Sequence, residues 1–160
     1  MITDLNTTCL DILKLLQIAF KDSDLISTVD ETSFLQSFVR SFRYYGGGEN
    51  ANNEERIGNS LHSDWNLLTL VWTDQPGLEV LYQDQYHSVE CLGQFNLICN
   101  FGDFLSSFME GKVASPWHRV ILPEEGVRNS LVYFFYPKHD LPVAKNKIVN
   151  EGRLLGLFVD

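Results

Sequence analysis

The amino-acid sequence predicts a mainly β fold, a sandwich or barrel preceded by N-terminal helices. Two observations carry this. From residue 61 onward, short apolar runs alternate with turn signals at close spacing. Before about residue 40, apolar side chains recur every three or four positions, the period of a helix. The length of 160 residues fits one domain able to bury a core without disulfide staples.

The elements follow in order. Residues 7–20, TTCLDILKLLQIAF, place Leu10, Ile12, Leu13, Leu16 and Phe20 at helical spacing, with Thr8 and Asp11 as a start signal. In STVDETSFLQSFVRSF, Thr28 and Glu31 have capping-box spacing, and Phe34, Leu35 and Phe38 follow on one side. Both helices are expected to pack on the core. RYYGGGENANNEER reads as a loop, because its glycines and polar residues cannot bury enough surface. It lacks the GxxxxGK[ST] pattern of a phosphate loop. LLTLVW and LEVLY then read as strands joined by the turn TDQPG. YHSVECL and QFNLICNFG read as two more, with Gly102 and Asp103 stopping the second, and DFLSSFMEG as a helical turn. KVASPWHRVIL and RNSLVYFFY, divided by PEEGV, complete the set.

Composition narrows the function. Acidic residues outnumber basic ones 21 to 12, a net charge of −9, so the surface repels phosphate backbones and nucleic acid is not expected as a partner. A small-molecule substrate is expected instead. No apolar run reaches the length of a membrane span, and Met1 leads into ITDLNTT without the basic region of a secretory leader. Cys9, Cys91 and Cys99 show no CxxC spacing and read as small buried hydrophobes in a reducing compartment. A cytoplasmic protein with no membrane partner is expected.

Polar residues in apolar surroundings mark the candidate site. HSDWNLLTLV opens with His62 and Asp64, two apart, which on a strand share one face. His118 sits in the apolar stretch SPWHRV, where an unpaired imidazole is costly to bury. Taken singly, HxD reads as a surface pair and His118 as a core histidine bonded to a backbone carbonyl. Together, two imidazoles and a carboxylate are the ligand set that holds Fe(II) with positions left open. Arg128 and Ser130 are again two apart on a strand. An inward guanidinium needs an anion and suits a carboxylate gripped bidentately, and Ser130 adds a hydroxyl; otherwise Arg128 is a surface residue near a turn. His87 is expected in an exposed hairpin and His139 in a loop. Trp117 is expected to face away from His118, and Phe134 and Phe135 to be core. There is no GxSxG or Cys–His pattern for hydrolysis.

In order, FRYYG, LHSDWNLLTLVW, PGLEVLY, FNLICNFGDFL, GKVASPWHRVIL and RNSLVYFFYP resemble the isopenicillin-N-synthase-like branch of the 2-oxoglutarate- and Fe(II)-dependent dioxygenases, over roughly Phe42 to Pro137. The resemblance implies a double-stranded β-helix (jelly-roll) core over residues 41–137, preceded by a helical segment, 1–40, and followed by an extension, 138–160. It implies that His62, Asp64 and His118 bind iron. It further implies that Arg128 and Ser130 hold the distal carboxylate of 2-oxoglutarate, with Tyr45 reaching a co-substrate carboxylate. The implied reaction uses O2 and 2-oxoglutarate to oxidise a C–H bond of a small molecule, releasing succinate and CO2. The sequence departs from the family in its short N-terminal region. It also has Arg43, Tyr44, Tyr45, Gly46 in place of Asn-Tyr-Tyr-Pro. Trp65 either narrows the site or belongs to the core. Two other readings stay open. One is an iron oxidase that does not use 2-oxoglutarate and whose Arg128 and Ser130 hold the substrate's own carboxylate. The other is a shortened, non-catalytic jelly roll, a binding or regulatory protein with a protein partner covering the pocket.

Overall fold

The computed structural model describes residues 2–21, 24–47, 56–91 and 96–141. Most of the glycine loop, Phe95 and the chain after residue 141 therefore lie outside the described residues. Helix α1 (Ile2–Phe20) begins before the expected Thr8 start. Its buried stripe is Cys9 and Leu13, flanked by Leu5, Leu10, Ile12, Leu16 and Phe20. After a 3-10 turn at Leu25–Thr28 comes a short helix, α2 (Glu31–Gln36). Its cap is not Thr28–Glu31. Asp30 Oδ1 accepts from the Thr32 amide at 2.8 Å and the Ser33 amide at 3.4 Å, while Ser33 Oγ accepts from the Asp30 amide at 3.1 Å. Asp at the N-cap satisfies two orphan amides. Thr28 is instead buried in the preceding turn, its hydroxyl donating to the Leu25 carbonyl at 2.6 Å.

The helix stops at Gln36, and FVRSFRYY, expected to be helical and then loop, forms strand β1 (Phe38–Tyr45). The remaining strands are β2 (Ile57–His62), β3 (Leu68–Thr73), β4 (Leu78–Tyr82), β5 (Gln85–Ser88), β6 (Ile98–Phe101), β7 (Trp117–Ile121) and β8 (Val127–Phe135). Helix α3 (Asp103–Phe108) occupies the expected helical turn. Pairing is antiparallel throughout: β1 with β8, β2 with β7, β3 with β6 and β4 with β5. The first four strands thus run back along the next four as one double strand. It winds into two four-stranded sheets, β1-β8-β3-β6 and β2-β7-β4-β5. This is a double-stranded β-helix, the mainly β jelly roll with N-terminal helices that the sequence predicts.

The first sheet is covered on both faces. Leu68, Leu70, Tyr133 and Phe135 point outward and join Cys9, Leu13, Leu25, Leu105 and Met109 in one buried cluster. The Tyr133 hydroxyl donates to Asn6 Oδ1 and ties α1 to β8. Their strand neighbours Thr69, Val71, Arg128, Ser130, Val132 and Phe134 point the other way, into the space between the sheets. Burial on both faces explains why LLTLVW reads as a nearly continuous apolar run. Phe135 is core, as expected, but Phe134 lines the cavity. Of the three cysteines only Cys9 is buried; Cys91 is half-buried and Cys99 exposed, so the expectation of buried thiols holds for one of them. Among the described residues no helix is long and apolar enough to cross a membrane.

Candidate metal centre and cavity

His62 ends β2 and is the direct register partner of His118 on β7; their rings lie 4.3 Å apart. The β2–β7 ladder shifts register between Ile57 and Asn59 and again between Asn59 and His62, irregularities that re-aim side chains at a strand end. Asp64 is not on a strand with His62, as the two-residue spacing suggested. It lies in the loop 63–67 that joins β2 to β3. The start of α3 clamps that loop. The Asp103 amide donates to the Asp64 carbonyl at 2.7 Å, the Phe104 amide to Trp65 at 3.3 Å and the Gly102 amide to Leu67 at 3.0 Å. Ser63 Oγ adds a bond to Asp103 Oδ2 at 2.9 Å.

Gly102 is required by space and not by conformation. A Cβ there would sit 2.0 Å from the Asn66 carbonyl oxygen, while its φ of −96° suits any residue. Gly102→Ala is therefore expected to force the loop away from α3. The expected loss is about 3 kcal/mol of stability, read as a lower urea midpoint. Metal affinity should fall with it, since the displaced loop carries Asp64. An unchanged midpoint and unchanged affinity would show that the clamp does not set the loop.

The three side chains converge. His62 Nε2 lies 3.8 Å from Asp64 Oδ1, and His118 Nε2 lies 3.8 Å from Asp64 Oδ2. One donor atom from each lies within 4.8 Å of the others. The ring orientation is fixed from behind. His62 Nδ1 is 2.7 Å from the Ser60 carbonyl and His118 Nδ1 is 3.1 Å from the Pro116 carbonyl. In the neutral ring Nδ1–H donates to that carbonyl and leaves the Nε2 lone pair toward the cavity. Burial pushes the pKa of His118 below the ordinary value, with Asp64 opposing, which favours the neutral ring. Asp64 Oδ2 accepts from Thr69 Oγ at 2.7 Å and Asn100 Nδ2 at 2.8 Å. Thr69 and Asn100 are register partners across β3 and β6. Asn66, buried, donates to Thr69 Oγ at 2.9 Å and completes the relay. Thr69, Asn100 and Asn66 were not foreseen. Their signal was present as single polar residues within LLTLVW, ICNF and the loop before them.

The donor set fits a divalent metal. Two ligands each about 2 Å from a common ion lie up to about 4 Å apart. Two imidazoles and one carboxylate are the facial set for non-haem Fe(II).

A cavity of about 260 Å³ runs from this cluster between the sheets. At its other polar pole stand Arg128, Ser130 and Tyr44, among Val71, Leu78, Val80, Val120 and Val132. Arg128 is 1% exposed. Its Nε donates to the carbonyls of Gln75 at 3.2 Å and Pro76 at 3.0 Å, and its guanidinium lies 5.3 Å from the Tyr44 ring. Nη1 is buried without a hydrogen-bond partner. A buried cationic N–H lacking an acceptor is costly, and a carboxylate in the cavity supplies one. The residues present therefore also fit 2-oxoglutarate. Tyr45 does not reach the cavity. It is 64% exposed and lies on the other face of β1, because strand alternation turns Tyr44 inward and Tyr45 outward. Trp65 is exposed and outside the lining, so it neither narrows the cavity nor joins the core. His87 and His139 are exposed, and Trp117 is absent from the lining, as expected.

Residues 37–137 match the 2OG-Fe(II) oxygenase superfamily, so the chain belongs to that superfamily. Jasmonate-induced oxygenase 1 of Arabidopsis thaliana is 36% identical over 92 residues, which span 56% of this chain and 23% of that protein. Among solved structures, full-length Neurospora crassa T7H in complex with alpha-KG aligns with a TM-score of 0.75 at 18% identity, over 94% of this chain and 51% of that one. The 2-oxoglutarate complex of AtDAO1, the dioxygenase for auxin oxidation 1 from Arabidopsis thaliana, aligns with a TM-score of 0.72 at 21% identity, over 92% and 54%. At these identities the two structures show the shared jelly roll. The chain spans about half the length of the solved chains and about a quarter of the curated relative.

Proposed function

We propose that this protein is a non-haem Fe(II)- and 2-oxoglutarate-dependent dioxygenase that oxidises a C–H bond of a small molecule with O2. Membership of the superfamily supports this, and one observation carries it for this chain. Arg128, whose Nη1 is buried without a hydrogen-bond partner, lines the same cavity as the His62, Asp64 and His118 cluster. When bound, the iron and co-substrate supply oxygen activation coupled to decarboxylation of 2-oxoglutarate to succinate and CO2. The chain supplies the rest. His62, Asp64 and His118 hold the metal, and Thr69 and Asn100 keep Asp64 turned toward it. Arg128 and Ser130 hold the distal carboxylate, with Tyr44 taking the place first expected for Tyr45. The apolar lining excludes water. The core of this reading runs from β1 through β8, with α1 and α2 covering one face. Free thiols at Cys9, Cys91 and Cys99 support a reducing compartment, the cytoplasm.

An anaerobic titration of the metal-free protein with Fe(II) and 2-oxoglutarate tests the proposal. A weak visible charge-transfer band is expected, because it requires 2-oxoglutarate to chelate bound iron. Iron binding without the band would point to an oxidase that does not use 2-oxoglutarate. No iron binding would point to the non-catalytic reading.

A further inference from the structure

We infer that Asn59 determines specificity, and that the substrate is a neutral molecule presenting an amide edge to it, an N–H beside a C=O. The inference deepens the proposed function by naming the class of its substrate, and it rests on that reading. The placement follows from β2. Its ladder with β7 shifts register between Ile57 and Asn59. The irregularity turns two neighbouring residues inward where a regular strand would turn one. Gly58 meets the Tyr44 ring, since a Cβ there would lie 2.7 Å from Tyr44 Cδ1. Asn59 lines the cavity. Along β2 it thus stands between the residue that touches Tyr44 and the metal-cluster residue His62. Across the ladder its partner Val120 lies two residues from His118, a rise of about 7 Å. The body of a small molecule held by Asn59 therefore reaches the metal cluster.

Asn59 has no task within the fold. Among the described residues its side-chain amide makes no hydrogen bond. Its row across the sheet continues through Val120 and Leu78, both apolar. The neighbouring polar groups of the lining are accounted for. His62, Asp64 and His118 form the metal cluster, and Thr69 and Asn100 bond to Asp64. The proposed function commits Arg128, Ser130 and Tyr44 to the distal carboxylate of 2-oxoglutarate. Between that carboxylate and its keto-acid end the co-substrate has only methylene groups, which take no hydrogen bond. Asn59 is therefore left for a second molecule. A side-chain amide offers N–H donors and a carbonyl acceptor side by side, and an amide edge answers both at once. A carboxylate would answer the donor alone, and the net charge of −9 opposes its approach. Phe42, Val120 and Leu78 in the same lining suit an apolar ring carrying that edge.

The test is calorimetric titration of the full chain, loaded with Mn(II) and 2-oxoglutarate, with 2-quinolone and with coumarin. The two share one bicyclic shape, and in coumarin a ring oxygen replaces the lactam N–H. The quinolone is expected to bind about tenfold more tightly, the size of one hydrogen bond whose loss leaves an acceptor unpaired. Asn59→Leu should erase the preference and leave the affinity for 2-oxoglutarate unchanged. Asn59→Asp keeps the acceptor and should keep the preference. Asn59 is half-buried and makes no internal hydrogen bond, so both variants are expected to fold, and a thermal melt checks this. Equal binding of the two probes, no binding of either, or a preference that survives in Asn59→Leu or disappears in Asn59→Asp overturns the inference. Lost 2-oxoglutarate affinity in Asn59→Leu also overturns it, because that result assigns the residue to the co-substrate. Failure of the native chain to bind 2-oxoglutarate overturns the proposed reaction instead, and the lactam preference is then read on the unloaded chain.

Discussion

Asp64→Asn is expected to lower Fe(II) affinity by at least about a hundredfold while leaving the metal-free fold near its native stability. The substitution keeps the shape of the side chain and removes its charge. Asn retains one carbonyl oxygen to accept from Thr69, so the relay Asn66–Thr69 is preserved on one side. The loop 63–67 is held through backbone bonds to α3, which the side chain does not make. In the absence of metal, the buried Asp64 carboxylate has no lysine or arginine within ion-pair distance among the described residues, and losing its charge costs the fold little. In the presence of metal the same charge is the largest electrostatic contribution to binding, because it is the only anionic ligand of the three. Thr69→Val provides the graded comparison. It leaves all three ligands but removes one hydrogen bond that orients Asp64, and metal affinity should fall about tenfold. Equilibrium dialysis under anaerobic conditions measures both. Native iron affinity in Asp64→Asn would remove the metal centre from this site, and equal losses in the two variants would show that orientation matters as much as charge.

Which parts of this centre could be read from the sequence depends on how local their physics is. His118 and the pair Arg128 and Ser130 lie on regular strands, where period two fixes the facing, and all three line the cavity. The residue type marks Asp64 as a ligand, but strand alternation does not account for its position. The expected strand geometry does not hold; the carboxylate reaches the histidines because Gly102 leaves room for the loop beside α3, a contact across 36 residues of chain between Asn66 and Gly102. Nothing within HSDWN signals that contact. Tyr44 and Tyr45 show the complementary difficulty. Two adjacent tyrosines are chemically equal in sequence, and only the start of β1 at Phe38 decides which faces inward. That start was hidden because the capping box and the following phenylalanines extended the helical reading past Gln36, where Ser37 has turned to extended backbone. β2 was missed for a different reason. IGNSLH has little apolar alternation and lies at the edge of its sheet, where the register is set by β7 and not by its own pattern. The helices, the turns and the last strands carry their signals within a few residues, and these were legible.

Arg128→Met is expected to separate binding from stability, with effects of opposite character in the two. Affinity for 2-oxoglutarate should fall by at least about a hundredfold, because the variant loses a charged donor fork facing the cavity and leaves a carboxylate desolvated without a partner. Without ligand, the variant should unfold within about 1 kcal/mol of the native protein. Two contributions oppose each other there. The Nε bonds to the Gln75 and Pro76 carbonyls are lost, which destabilises the turn before β4. The buried and unpaired Nη1 is also removed, which relieves a desolvation cost of similar size. Burial also pulls the pKa of Arg128 below its ordinary value, the direction expected of a cation held in the cavity wall with too little to balance it. Such an arrangement is poor for stability and good for binding, since the missing partner arrives with the ligand. Thermal melts with and without 2-oxoglutarate read both sides. At a ligand concentration about a hundred times the dissociation constant the native protein should gain about 2.7 kcal/mol, and the variant should gain nothing measurable. A variant that loses several kcal/mol in the absence of ligand would mark Arg128 as a strut of the fold. A variant that still gains stability from 2-oxoglutarate would place the co-substrate elsewhere. Near-native stability with lost binding is the pattern expected of a buried cation whose partner arrives with the ligand.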